Sequence, residues 1–234
     1  MVRIAFVVEG QTERIFIENL LNNFYSHPNF NVTSRELRGY KEIEVTKPNY
    51  KESEVEHSFL ILDVGGDGKV PAAIFERAPK LINENGYAHV IGVRDLFPHT
   101  KEQLATLQNA LTTIFNGDTI LTSLTMIVAV MEVEAWFLAD YPLFERIDRQ
   151  LSAANINTAL GINIETDDLE AYPHPAKTVE RIFQITDPDY RYKKNEAQIQ
   201  TICGNINYDE LCANDEVLAR IPSFRMLIER LDEF

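Results

Sequence analysis

VRIAFVVEGQTERIFIENLLNNF, residues 2–24, decides the fold class. Apart from Arg3, its first seven residues are an apolar run rich in β-branched side chains. That is the pattern of a strand buried on both faces. From Thr12 onward, Ile15, Phe16, Leu20, Leu21 and Phe24 recur at helical intervals. Gly10 marks the turn between the two. A buried strand leading straight into an amphipathic helix is the opening unit of an α/β fold. It also sets a question, because Glu9 stands where the strand ends. Glu9 is either a surface residue of the turn or the first piece of an active site.

The same unit recurs along the chain. Residues 26–57 are polar and broken by His27-Pro28 and Lys47-Pro48, with irregular strands expected over Asn31–Leu37 and Glu42–Val45. Phe59–Val64 reads as a second buried strand, running into GGDGK at 65–69, and a helix is expected over Pro71–Asn83. Gly86 closes that helix and His89–Val93 forms the next strand. Thr100–Phe115 is predicted as one helix with Leu104, Leu107, Leu111 and Phe115 on a single face. Leu124–Val130 is a further strand, and Glu132–Asp140 a further helix with Trp136 and Phe137 turned inward. This alternation predicts an α/β fold: a mostly parallel, Rossmann-like sheet with helices on both faces. In such sheets ligands gather beyond the carboxyl ends of the strands. After residue 141 the strand signal fades. Arg146–Ala154, Ala176–Ile185, Ala197–Ile206 and Ser223–Leu231 read as helices, so an α/β core over 1–140 and a helical C-terminal extension over 141–234, packed on the core, are expected.

The 234 residues carry 36 acids against 22 bases, a formal net charge of −14. Such a surface repels nucleic acid and anionic membrane over most of its area, so nucleic-acid binding would need a local basic patch or bound metal ions. Cys203 and Cys212 imply no disulfide framework. The apolar run from Leu121 to Met131 is too short and too polar to span a bilayer, and the N-terminus reads as a strand instead of a signal peptide. A cytoplasmic protein with no membrane partner is expected.

Acids follow each strand of the alternating pattern: Glu9, Asp63, Asp95, then Glu132 and Glu134. The ends of parallel strands lie along one edge, so these carboxylates could converge. Crowded carboxylates raise one another's pKa unless a cation neutralises them. Mg²⁺ and Mn²⁺, which take oxygen ligands, are the ions such a cluster suits. Taken singly, each acid reads more simply as a cap or turn residue, Asp63 above all because Gly-Gly follows within two residues.

Other motifs carry less. GGDGK is not a phosphate-binding P-loop, since position 63 is Asp and Val70 follows Lys69; Lys69 could still touch a phosphate. The histidines are scattered without zinc-ligand spacing. RYKKN at 191–195, with Arg181 one helix earlier, is the best local basic patch. It reads either as a solvated loop whose tyrosines pack inward, or as a phosphate contact made by Arg181, Arg191 and Lys193.

EGQTE at 9–13, VGGDGK at 64–69, an Asp after the following strand and EVEAWFLAD at 132–140 together resemble the Toprim (topoisomerase–primase) superfamily. The resemblance is to small stand-alone Toprim-like proteins and to the nuclease half of OLD-type (overcoming lysogenization defect) proteins. It covers roughly the first 140 residues, and HPAKTVERIF and YRYKKN extend it less distinctively. It implies that Glu9 is a metal ligand or proton-transfer group, that Glu13 one helical turn on joins it, and that Asp95 is the first acid of an Asp-x-Asp pair. It further implies that Glu132 and Glu134 help hold a second ion, and that Lys193 or Lys194 supplies positive charge near the phosphate. The sequence departs from the pattern at Phe97, where the second Asp is missing and only Asp63 or Asp67 could replace it.

The resemblance implies a Mg- or Mn-dependent nuclease cleaving DNA or RNA, with a partner ATPase by analogy and a role in phage defence by analogy alone. Phe97 motivates a second expectation, a Toprim-fold binding or regulatory module without catalysis. A small-molecule phosphohydrolase is a third.

Overall fold

The computed structural model describes residues 1–24, 30–39, 41–51, 54–66 and 68–234; the expectations attached to His27 and Asp67 lie outside them. Among these residues the strands are β1 Val2–Val8, β2 Phe30–Arg38, β3 Lys41–Thr46, β4 His57–Asp63, β5 His89–Asp95 and β6 Leu124–Ala129. They form one sheet in the order β3-β2-β4-β1-β5-β6. β1 runs parallel to both β4 and β5, and β2 is parallel to β4. β3 pairs antiparallel with β2, as a hairpin. The fold is therefore α/β with a mostly parallel sheet, as expected.

Topology follows from handedness. Helix α1, Gln11–Phe24, carries the chain from β1 leftward past β4 to β2, whereas α2, Val70–Asn83, carries it from β4 rightward past β1 to β5. Right-handed crossovers taken in opposite directions lie on opposite faces of a sheet. β1 thus leads to one face while its neighbours β4 and β5 lead to the other, which makes the carboxyl end of β1 the switch point of the topology. The core explains the apolar runs: Ile4, Phe6, Val8, Ile61, Val90, Ile91 and Val93 are almost wholly buried. Gly92 is required for packing, because a Cβ there would come within 2.7 Å of Ile74 Cδ1 and 2.9 Å of Met126 Sδ.

Thr100–Phe115 is not one helix. A 3₁₀ turn at Lys101–Gln103 leads into α3, Leu104–Gln108, and then α4, Ala110–Ile114. The break falls at Asn109, whose backbone leaves the helical region at φ −90 and ψ 6 while its main-chain N–H still donates to Ala105 O at 3.0 Å. Leu111 and Phe115 are buried, but Leu104 and Leu107 are only half-buried.

The remaining helices are α5 Glu134–Ala139, α6 Pro142–Ile147, α7 Ala153–Leu160, α8 Pro175–Phe183, α9 Glu196–Cys203, α10 Tyr208–Ala213, α11 Asp215–Ala219 and α12 Pro222–Leu231. The helix expected over Arg146–Ala154 is instead the junction of two. Asp148 is extended, and Ser152 caps α7 by accepting from Asn155 N–H.

The chain divides into two compact units. One comprises Met1–Asp95, Glu102–Val128 and Phe234, and the other Leu96–Lys101 and Ala129–Glu233. The second has its own core, in which Trp136 is fully buried, donates from Nε1 to Ser223 Oγ at 2.9 Å and lies against Phe224. The Ser223 hydroxyl in turn donates to Glu170 Oε1. Among the described residues no helix is long and apolar enough to cross a membrane.

Candidate functional site

In the first unit, Glu9 leaves the end of β1 almost completely buried, at 7% exposure. Its Oε2 accepts the main-chain N–H of Asp95 at 3.0 Å, so the ends of the adjacent strands β1 and β5 are tied together at the switch point. Its carbonyl accepts Gly66 N–H at 2.9 Å. Gly10 does not adopt a left-handed backbone, and a Cβ there would meet Glu13 Oε2 at an ordinary 3.5 Å. What Gly10 supplies is the carbonyl that accepts Arg14 N–H and starts α1. Glu13, one turn along, is also buried.

Asp63 is a turn residue. Its Oδ1 accepts Gly65 N–H at 2.9 Å and its Oδ2 lies 3.9 Å from Arg14 Nε. Burial raises its pKa, and the Gly65 hydrogen bond and Arg14 partly offset this. The glycines of GGDGK are needed for shape: Gly65, Gly66 and Gly68 all have positive φ. Lys69 folds back onto its own loop and donates to Gly65 O at 3.0 Å. Sequence reasoning missed Arg14, which is buried at 6% exposure and paired with Glu18 at 3.1 Å. The signal available was a basic residue on the apolar stretch of an amphipathic helix.

In the second unit, Glu132 and Glu134 meet one lysine. Lys194 Nζ lies 2.9 Å from Glu134 Oε1 and 3.6 Å from Glu132 Oε1. Glu132 Oε2 also accepts Ala176 N–H, at 2.9 Å, in the first turn of α8, where a carboxylate favours the helix dipole. Glu134 is fully buried and accepts the Tyr192 hydroxyl at 3.1 Å. Burial raises the Glu134 pKa, Lys194 pulls it back, and Glu132 adds to the rise. Burial, with the Glu134 carboxylate beside it, holds the Tyr192 phenol well above its ordinary range. Lys194 has φ +52, a conformation non-glycine residues rarely take.

Of the basic patch, Lys194 is the member placed on acids. Lys193 is exposed, and its main-chain N–H donates to Gln198 Oε1. Arg191 is exposed and donates to Tyr190 O at 2.7 Å, while Tyr190 packs against Phe183 with ring centroids 4.8 Å apart. Arg181 is exposed on α8. Tyr192 was a further miss: the mixed aromatic and basic run flagged the segment without saying that this hydroxyl reaches a buried glutamate. Phe97 is 42% exposed and meets His174 edge-on at 5.6 Å.

The chain belongs to the family described as "Domain of unknown function (DUF4276)", whose model matches residues 8–232. No curated protein matches the chain. Among solved structures it is similar to the crystal structure of a hypothetical protein from Pyrococcus horikoshii OT3, with a TM-score of 0.53 and 14% sequence identity, covering 99% of each chain. At that identity the likeness speaks for the fold alone.

Proposed function

We infer that this chain is a Toprim-type, metal-dependent phosphoester-cleaving enzyme acting on DNA or RNA in the cytoplasm. The observation that carries the reading is the Glu9 carboxylate tied to the Asp95 main chain at the sheet's switch point, where ligands of open α/β sheets bind. The proposed ligand set is the one the resemblance implies: Glu9, Glu13, Asp95, Glu132 and Glu134. All five offer hard carboxylate oxygens, the donor type of Mg²⁺ and Mn²⁺. A bound divalent ion would supply a water nucleophile at neutral pH and would polarise the phosphate. Glu9 is the residue for proton transfer, because its carboxylate is already oriented by a main-chain donor. Lys194 is the proposed cation for charge developing on phosphate oxygens, in preference to Lys193, since its ammonium is fixed by Glu134. Lys69, Arg181, Arg191 and Lys193 remain proposed contacts to the nucleic-acid backbone. A partner ATPase and a role in phage defence rest on the resemblance alone.

The test is cleavage of supercoiled plasmid and of single-stranded DNA and RNA with Mg²⁺ or Mn²⁺. Activity that falls at least 100-fold in Glu9→Gln while the fold is retained supports the reading. Absence of cleavage, together with no heat of metal binding by calorimetry, overturns it. One observation favours a second reading, a binding or regulatory module without catalysis: exposed Phe97 stands where a second acid would complete the Asp-x-Asp pair. Metal-independent binding of a partner, without cleavage, would select it.

A further inference from the structure

The first unit holds a second feature that the acids do not use. A cavity of about 450 Å³ lies on the sheet face flanked by α2, a size in the range of small-molecule sites. Leu60 and Leu62 of β4 floor it, opposite Ala5 and Val7 of β1, and Arg35 of β2 stands level with Leu62. Four cations line it, Arg3, Arg35, Arg77 and Lys80, against the carboxylates of Glu42 and Glu76. In a chain of net charge −14 this local excess is opposite in sign to the surroundings. Arg3, the second residue of β1, lies six residues before Glu9, about 20 Å away at 3.3 Å per residue, so the cavity runs along the sheet face from the start of β1 up to the level of Val7 and Leu62.

The cations are arranged to receive oxygens. Arg77 and Lys80 are three residues apart on one face of α2. Arg3 is stacked over the Tyr87 ring at 4.7 Å, which fixes its plane. Arg35 and Arg77 come from different elements and grip one carboxylate: Glu42 Oε2 accepts from Arg35 Nη1 at 3.0 Å, and Glu42 Oε1 accepts from Arg77 Nη1. Arg77 Nε is buried and has no acceptor among the described residues. Glu42 belongs to β3, whose residues are nearly all exposed. It is a tethered anion that uses part of what the two guanidiniums offer. A phosphate presents three terminal oxygens and matches guanidinium forks bidentately, so it can use more of them.

We propose that this cavity binds an organic phosphate, a phosphomonoester on an apolar or aromatic body of nucleotide size, with Arg35 and Arg77 taking the phosphate and Glu42 holding their place until it enters. The body lies on Leu60, Leu62 and Leu81, beside Tyr87. Neither the cavity nor its ligand depends on cleavage chemistry at the acids. At physiological salt the net charge of the chain is screened over about 8 Å, whereas the guanidinium forks act within hydrogen-bond distance.

The experiment is titration calorimetry on the full chain in EDTA, which removes divalent ions and so keeps the acidic residues out of the measurement. The probes are adenosine monophosphate, inorganic phosphate and adenosine. Saturable binding of the nucleotide at one site is expected, at least tenfold tighter than that of inorganic phosphate, with no binding of adenosine. Glu42→Gln removes the competing charge and tightens nucleotide binding at least threefold. Arg77→Met weakens it at least tenfold; if that variant fails to fold, Lys80→Met on the exposed side of α2 is read instead, with a loss of two- to fivefold. The proposal is overturned if neither the parent nor Glu42→Gln binds the nucleotide saturably. It is also overturned if Glu42→Gln binds no more tightly than the parent, or if inorganic phosphate binds as well as the nucleotide.

Discussion

Glu9 in the first unit and Glu134 in the second are both buried carboxylates, and they find their partners in different ways. Glu9 accepts a main-chain N–H from the neighbouring strand end. Glu134 relies on the side chains of Lys194 and Tyr192, some sixty residues further along the chain. The first arrangement comes with strand pairing and the second with two specific residues. The first unit's acid should therefore be sensitive to how the sheet packs, and the second unit's acids to single side-chain changes.

The largest effect is expected at Lys194. Lys194→Met leaves Glu134 buried without its cation, and breaking a buried pair costs about 3–5 kcal/mol. Because the lysine side chain is one-third exposed, about 2–4 kcal/mol is expected here, read from the urea midpoint. Adding Glu134→Leu should recover most of the loss, and a double variant no better than Lys194→Met breaks the comparison. The loss also has a pH sign. Burial already raises the Glu134 pKa and Lys194 lowers it, so removing Lys194 raises it further above the unfolded value. The deficit of Lys194→Met is then smallest below the ordinary glutamate range, about 4.3, and grows as pH rises through the folded pKa. Urea midpoints at pH 5 and pH 8 should show a wider gap from the parent at pH 8.

A somewhat smaller effect is expected at Gly92, three residues before Asp95 on β5. A methyl group there meets Ile74 and Met126 well inside contact distance. Overpacking of this kind costs about 1–3 kcal/mol, so Gly92→Ala should lower the melting temperature and, by moving β5, weaken the Glu9 to Asp95 bond. Unchanged stability would mean that α2 can shift freely, which would remove the sheet-based half of the comparison. The smallest effect belongs to Lys69→Ala. Its ammonium bonds an exposed loop carbonyl, and less than about 0.5 kcal/mol is expected by chemical denaturation. A larger loss would show that the GGDGK turn needs more than its glycines.

The sheet was legible because its signal is local. Runs such as Val2–Val8 and His89–Val93 are apolar apart from Arg3 and His89, the pattern of a strand buried on both faces. Acids at the strand ends could be placed for the same reason, since topology fixes where strands stop. The partners of those acids were less legible. Lys194 and Lys193 are indistinguishable in RYKKN, and the positive φ that singles out Lys194 is a tertiary outcome. The helix expected over Thr100–Phe115 breaks where the backbone of Asn109 leaves the helical region, which hydrophobic spacing does not register. The short helices after residue 141 are delimited by caps such as Ser152 and Asn207, and periodicity over so few residues is weak. The cations around Glu42 come from β1, β2 and α2, and no linear motif joins them.

The hairpin strand β3 has a further consequence. It closes one side of the sheet with its outer row of main-chain groups unpaired within the sheet, and Ile43 and Val45 are substantially exposed on it. Such an edge invites another chain to add a strand. Lys41, Glu42, Glu44 and Lys47 interrupt the apolar pair with charge at nearly every other position. An approaching edge would have to strip water from those groups before it could pair. Charge along the strand thus blunts an edge that its exposed Ile43 and Val45 would otherwise make adhesive.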